Sequence, residues 1–347
     1  MTGDDRGHRP RTSLVIVLLV ALASGAAVLA PTAGAVALHP TSAHASSSTR
    51  RRIRTKAKRA GKTVPAAAAP PPTPPFGLGE VTTVLTDPTR STPDSSARSF
   101  TVTTYYPTAD PAGTLTSGAA PSGSYPLVVF SHGYDVSAGT YVTLEREIAA
   151  DGFVVAAPDF PLSSSAVTDD PQRDPVEQAS DVSFVIRTFT DPATVPVPLS
   201  GAVARTKVGV IGQSDGGITT AGVAYNDAYA DPAVGAAVVL TGAEAFFPGG
   251  WFDKQAPPLL AIHGDADQIN PYGASQQLFD DATGPKWLVT ALGGDHLGPS
   301  TDAPWVQPVG TLVDAFFNAE LRGDTADGPL VTADAGVPGV LALAASG

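Results

Sequence analysis

From Gly79 onward the chain alternates short apolar runs with longer stretches in which apolar residues recur every three or four positions. Short runs closed by glycine or proline read as buried strands, and the longer stretches read as amphipathic helices. EVTTVLT (80–86) and SFTVTTYYP (99–107) predict two opening antiparallel strands, with TDPTRSTPDSSA (86–97) as the turn between them. Further strands are predicted in YPLVVFSHG (125–133), FVVAAPDFP (153–161), KVGVI (207–211), AVVLT (237–241), PPLLAIHGD (257–265) and KWLVTAL (286–292). Helices are predicted over 140–152, 175–189 and 307–323, and a helical pattern, ITTAGVAY (218–225), follows KVGVI. Strands separated by helices imply an α/β domain with a mostly parallel central sheet flanked by helices. No internal repeat is present, and the Ala/Gly/Pro-rich stretch after Gly323 reads as a loosely packed C-terminal tail, 324–347.

The pattern before residue 76 is different in kind. Arg6, Arg9 and Arg11 precede an uncharged apolar run from Leu14 to Ala30, and A-x-A sequences follow at 33–35 and 35–37. This predicts an export signal over residues 1–37 and hence a secreted, extracellular protein. The alternative is a retained membrane anchor, because the run is close to the lower limit of about 17 residues for a span. Residues 38–75 read as a disordered basic and Pro-rich linker, its proline part an extended spacer, and the folded domain is expected over 76–323.

Charge sharpens this division. The net charge of -12 conceals a basic run at 50–62 holding eight Lys and Arg, whereas the chain from residue 63 on carries 10 basic and 31 acidic groups. So acidic a body excludes nucleic acid as an unaided partner. The basic run is a candidate contact with an anionic cell surface, although a solvated, disordered segment is the preferred reading. The chain has no cysteine, which excludes disulfides, thiolate metal sites and cysteine nucleophiles. No metal cluster or phosphate-binding loop is visible, so no cofactor is expected.

The candidate chemistry lies at GQSDGG (212–217). A G-x-S-x-G match is weak by itself in a glycine-rich chain. Here it falls between a predicted strand and a predicted helix, where a sharp turn would lift the Ser214 hydroxyl above the sheet. Gly212 and Gly216 suit that turn because side chains there would clash. A serine needs a base to take its proton. Beyond residue 44 the chain offers only His132, His263 and His296. His132 and His263 each sit at the end of an apolar strand, before glycine, and read as structural. His296, in a glycine-flanked loop after the last predicted sheet strand, is the candidate base. Asp267, 29 residues earlier, is the preferred orienting carboxylate, with Asp265 and Glu244 as rivals; the order Ser, Asp, His is that of one hydrolase architecture. The backbone N–H groups of Tyr134 and Asp215 are candidate oxyanion donors. The Asp215 carboxylate is an odd neighbour for an oxyanion. Phe246, Phe247 and Trp251, together with Phe252, are candidates to line an apolar substrate site, with packing beneath their loop as the equal alternative.

Taken together, YYPTADPAG, YPLVVFSHGYD, GQSDGG, HGDADQINP, GGDHLG and FFNAELRGD resemble the α/β-hydrolase superfamily over about residues 98–323. The resemblance is to its secreted esterase and lipase branch, which includes cutinase-like polyester hydrolases, dienelactone-hydrolase-like proteins and platelet-activating-factor acetylhydrolases. It implies an α/β-hydrolase fold and carboxylic-ester hydrolysis through an acyl-enzyme at Ser214, Asp267 and His296. Cutinase-like enzymes commonly have Met after the serine and a C-terminal disulfide; this chain has Asp215 and no cysteine. The segment 242–256 is too short for a large cap domain. The expected partner is an ester substrate, lipid and polyester included, and the expected state is a monomer. A peptidase of the same fold and a non-catalytic hydrolase-fold binding protein are the alternatives.

Overall fold

Four apolar residues in succession, Leu127–Phe130, sit at the centre of the sheet. They belong to strand β4 (Leu127–Ser131), which is buried along its whole length. Side chains alternate across a strand, so Leu127 and Val129 enter one core layer while Val128 and Phe130 enter the other. A strand that is apolar on both faces requires helices on both.

The computed structural model describes residues 74–167, 171–252 and 256–347; the predicted signal (1–37) and nearly all of the predicted linker (38–75) lie outside the described residues. Before β4 come β1 (Gly77–Ser91), β2 (Ala97–Thr108) and the short β3 (Leu115–Ser117). After it come α1 (Val142–Ala150), β5 (Val154–Asp159), α2 (Pro175–Thr190), β6 (Val208–Gln213) and α3 (Asp215–Tyr225). The chain continues through β7 (Val234–Leu240), β8 (Leu259–Gly264), α4 (Tyr272–Asp281), β9 (Lys286–Ala291), α5 (Gly298–Thr301) and α6 (Val306–Phe317). It closes with α7 (Gly328–Asp334) and β10 (Leu341–Ser346). The ten strands form one sheet in the order β10-β9-β8-β7-β6-β4-β5-β2-β1-β3. The middle six, β9 to β5, are parallel to one another, and β2 and β10 join them antiparallel. Helices α2, α3 and α4 cover one face and α1, α6 and α7 the other. This is the α/β-hydrolase arrangement, with a mostly parallel sheet between two helical layers.

Three local expectations change. The predicted turn at 86–97 shrinks to Thr92–Ser96 because β1 runs on to Ser91 through an irregularity in register between Asp87 and Ser91. That irregularity accommodates Pro88, which has no N–H for the ladder. Side chains hold the extension: Asp87 accepts from Thr89 Oγ1 at 2.7 Å and from Arg90 Nε at 2.9 Å, and Arg90 pairs with the buried Asp181 of α2. Helix α4 has too few apolar positions to announce itself, and it is held by Leu278 and Phe279 against the sheet.

The third change is the tail. Residues 324–347 are not loosely packed: α7 buries Val331, Ala335 follows it into the core, and β10 pairs with β9 while burying Leu341. A chain ending at Gly323 uncovers these side chains and the β9 edge, and is expected to lose about 3 kcal/mol or more of unfolding free energy. Urea denaturation of the truncated and full folded domains measures this; equal midpoints would show that the tail is not part of the core.

Candidate active site

The parallel strands deliver their loops to one edge of the sheet, the carboxyl ends, where ligands of such sheets bind. Ser214 is the single residue between β6 and α3. Its φ of 58° and ψ of -120° lie outside the usual L-residue regions. The turn is closed by its N–H donating to Leu240 O at 3.0 Å and by its carbonyl accepting from Ile218 N at 2.9 Å. A side chain on Gly216 would overlap the Ser131 carbonyl, and one on Gly212 would overlap the Gly216 carbonyl. The glycines are thus required by close backbone approach.

His296, on the loop after β9, lies with Nε2 2.8 Å from Ser214 Oγ and Nδ1 2.7 Å from Asp267 Oδ2. A carboxylate only accepts, so Nδ1 carries the proton and Nε2 presents its lone pair to the serine hydroxyl. Asp267 is set by the turn after β8, where its Oδ1 accepts from the N–H groups of Ile269 at 2.8 Å and Asn270 at 2.9 Å. Burial alone would raise its pKa, but hydrogen bonds from His263, His296 and the Ile269 N–H hold it well below the carboxylate range. Of the rivals, Asp265 accepts from Gly293 N at 2.6 Å. Asp295, next to the histidine, caps the N–H groups of Leu297 and Gly298. Glu244 lies on the loop after β7.

The other two histidines are fully buried. His263 contacts Ser275 Oγ at 2.7 Å through Nδ1, and its Nε2 lies 3.1 Å from Asn270 O and 3.2 Å from Asp267 Oδ2. It braces the carboxylate from behind. His132 accepts from Phe160 N at Nε2, 2.9 Å, and so donates from Nδ1 to Gly133 O, 2.7 Å. Burial lowers its pKa, which keeps it neutral and able to do both. The Gly133 carbonyl and the Tyr134 N–H share one planar peptide, so this bond also directs that N–H. Neither the Tyr134 nor the Asp215 backbone N–H meets a protein acceptor among the described residues.

Two residues that sequence reasoning passed over tie these parts together. Gln213 donates from Nε2 to His296 O at 2.7 Å and to Thr241 Oγ1 at 3.0 Å, while its Oε1 accepts from Tyr141 OH at 2.8 Å. Tyr141 OH in turn accepts from Gly133 N at 3.2 Å. The serine loop, the histidine loop and the Gly133–Tyr134 loop are thereby joined through one amide and one phenol. A glutamine next to the motif serine was a visible signal; its partners, 72 and 83 positions away, were not.

A cavity of about 530 Å³ opens beside Ser214 and His296, lined by Tyr134, Val136, Ala266, Ile269 and Leu297 among others. Phe246, Phe247 and Trp251 do not line it. Phe247 is buried against Tyr229 and Trp251, with its ring filling the space over Gly222 of α3. Trp251 bridges to Asn226 and packs on the same core, as does Phe252 on Tyr225. Phe246 is 55% exposed and stacks under the Arg173 guanidinium, 4.9 Å from its ring centre. The packing alternative holds for the buried aromatics because α3, being rich in glycine and alanine, leaves a hollow that large rings must fill.

The fold, compared with solved structures, resembles a ferulic acid esterase from Streptomyces cinnamoneus with a TM-score of 0.63 and 22% identity, over 82% of this chain and 98% of that one. This establishes the α/β-hydrolase fold. Residues 92–242, which span β2 through the motif serine to the end of β7, match the family model described as chlorophyllase. The chain therefore has the α/β-hydrolase fold, and over residues 92–242 it is similar to an esterase-like family. Comparison with curated proteins finds no match.

The depressed Asp267 has a measurable consequence. Its folded-state pKa lies below the ordinary value of 3.8, so its contribution to stability is present above about pH 4 and is lost as the pH falls through the folded value. Asp267→Asn is expected to flatten the acid limb of the unfolding profile between about pH 4 and pH 2. An acid limb identical to that of the parent would contradict the paired carboxylate.

Proposed function

We propose that the protein is a serine hydrolase that cleaves carboxylic esters through an acyl-enzyme, with Ser214 as nucleophile, His296 as general base and Asp267 as the group that orients it. The observation that carries this reading is the continuous relay from Ser214 Oγ to His296 Nε2 and from His296 Nδ1 to Asp267, at 2.8 and 2.7 Å. It stands at the mouth of a cavity, beside two backbone donors. Ser214 Oγ attacks the ester carbonyl as its proton passes to His296 Nε2. The carbonyl oxygen becomes the oxyanion, for which the N–H groups of Tyr134 and Asp215 are the donors. Collapse breaks the C–O bond to the alcohol, which leaves with the proton from Nε2. Water, deprotonated by the same nitrogen, then hydrolyses the acyl-serine. Asp267 stays ionised throughout and stabilises the imidazolium.

The esterase-like relatives support an ester over an amide. The cavity wall formed by Val136, Ile269 and Leu297 favours a substrate with an apolar group on one side of the ester. Export of the protein by the segment before Ala37 is part of the same proposal; secreted material is expected to begin after Leu14–Ala30 on N-terminal sequencing, and a mature chain starting at Met1 would overturn it.

The purified protein is expected to hydrolyse p-nitrophenyl esters and to be labelled by a serine-directed phosphonate. Ser214→Ala and His296→Ala are each expected to lower kcat by about 10⁴-fold or more, because members of such a relay act as a unit. His263→Ala and His132→Ala, which act through other groups, are expected to lose less. Wild-type turnover in folded Ser214→Ala, or turnover of anilides without esters, would refute the proposal.

A further inference from the structure

Asp215 is a poor neighbour for a reaction that builds negative charge. Its N–H is the proposed oxyanion donor, yet its side chain, one residue from Ser214, is a carboxylate only 2% exposed. An uncompensated charge at this distance in a desolvated site would oppose both the oxyanion and the loss of the serine proton. The structure supplies a compensating charge. Arg173 meets the carboxylate with two nitrogens, Nε donating to Oδ2 at 2.7 Å and Nη2 to Oδ1. Such a fork fits a carboxylate in its own plane.

The segment carrying Arg173 is anchored at both ends. On one side, Pro171 O accepts from Tyr134 OH at 2.8 Å, which ties it to the loop of the other proposed oxyanion donor. On the other side, Asp174 accepts from the buried Arg98 at 2.8 Å and from Gln178 Nε2 at 3.0 Å. Gln178 Oε1 accepts from Thr219 Oγ1 of α3 at 2.7 Å. Arg173 is thus held against the first turn of the same helix that begins at Asp215. The guanidinium also stacks on the Phe246 ring, 4.9 Å from its centre.

We infer that Arg173 is a positioning residue for the ester-cleaving reaction: it closes the Asp215 carboxylate into an ion pair, so that the backbone N–H of Asp215 serves the oxyanion without a bare negative charge beside it. This rests on the assignment of Ser214 and of the Asp215 N–H made above. What matters is the cancelled charge, more than the particular side chains that cancel it.

Charge cancellation and simple packing predict different behaviour. Arg173→Gln is expected to lower kcat for p-nitrophenyl esters by about tenfold to a hundredfold, with KM changed less than about threefold, since the loss falls on the transition state. Arg173→Gln combined with Asp215→Asn removes both charges and is expected to return kcat to within about fivefold of wild type. Arg173→Lys, which keeps the charge and loses the fork, is likewise expected to stay within about fivefold. Wild-type kcat in Arg173→Gln would overturn the inference, as would a folded double variant no faster than Arg173→Gln. Should Arg173→Gln fail to fold, the other two variants decide: a hundredfold loss in either, folded by circular dichroism, refutes charge cancellation. Ser214→Ala run in parallel separates the two levels. If it keeps full activity the nucleophile assignment fails; if it is inactive while the Arg173 series is flat, only the present inference fails.

Discussion

The backbone at Ser214 is the constraint on which the site depends. Holding a serine at φ 58° costs on the order of 1–3 kcal/mol. The surroundings offset this by giving its N–H and carbonyl partners and by keeping Gly212 and Gly216 free of side chains. The turn brings the hydroxyl out at the end of β6 and starts α3 at the very next residue. The first N–H groups of a helix have no partners within it, so the turn also leaves the Asp215 donor free beside the hydroxyl. A relaxed turn would lose both arrangements together.

Around that turn the protein places two buried carboxylates and gives each an opposite solution. Asp267 is met by imidazoles on two sides, one of them shared with Ser214, so its charge is directed at His296. Asp215 is met by a guanidinium fork, so its charge is held within an ion pair. In a low-dielectric environment a paired charge orients its neighbours while a bare one repels them. The same logic governs the buried group of Arg98, Asp174 and Asp181, which fastens the start of α2 and with it the residue that partners Asp215.

The neutral network through Gln213 and Tyr141 has a different role. It carries no charge, and it links three loops that come from the ends of β4, β6 and β9. Loops are the least constrained part of an α/β domain, and relative placement to a few tenths of an ångström decides whether a proton can pass between them. One amide and one phenol, joined to each other and between them to all three, remove that freedom without adding a charge to the site.

Much of this was legible along the chain. Most strand and helix positions from β1 to α6 follow from apolar periodicity, β3, α4 and α5 excepted, and a glycine-flanked serine between a strand and a helix marks the turn because few other residues tolerate the approach of carbonyls to Gly212 and Gly216. The order of serine, aspartate and histidine restricted the candidates to a few side chains. What the chain alone left open was decided by contacts between distant segments. Periodicity carries no information about which large ring fills a hollow, so Phe247 and Trp251 became core only once α3 and its loop were packed together. The Ala-rich tail showed no amphipathic signal, and its strand exists because β9 offers an unpaired edge. Asp215 looked anomalous beside the serine because its partner, Arg173, lies 42 residues away. Local sequence specifies backbone conformation and burial within a few residues; pairing of charges and filling of cavities depend on which distant residues the fold brings within a few ångströms.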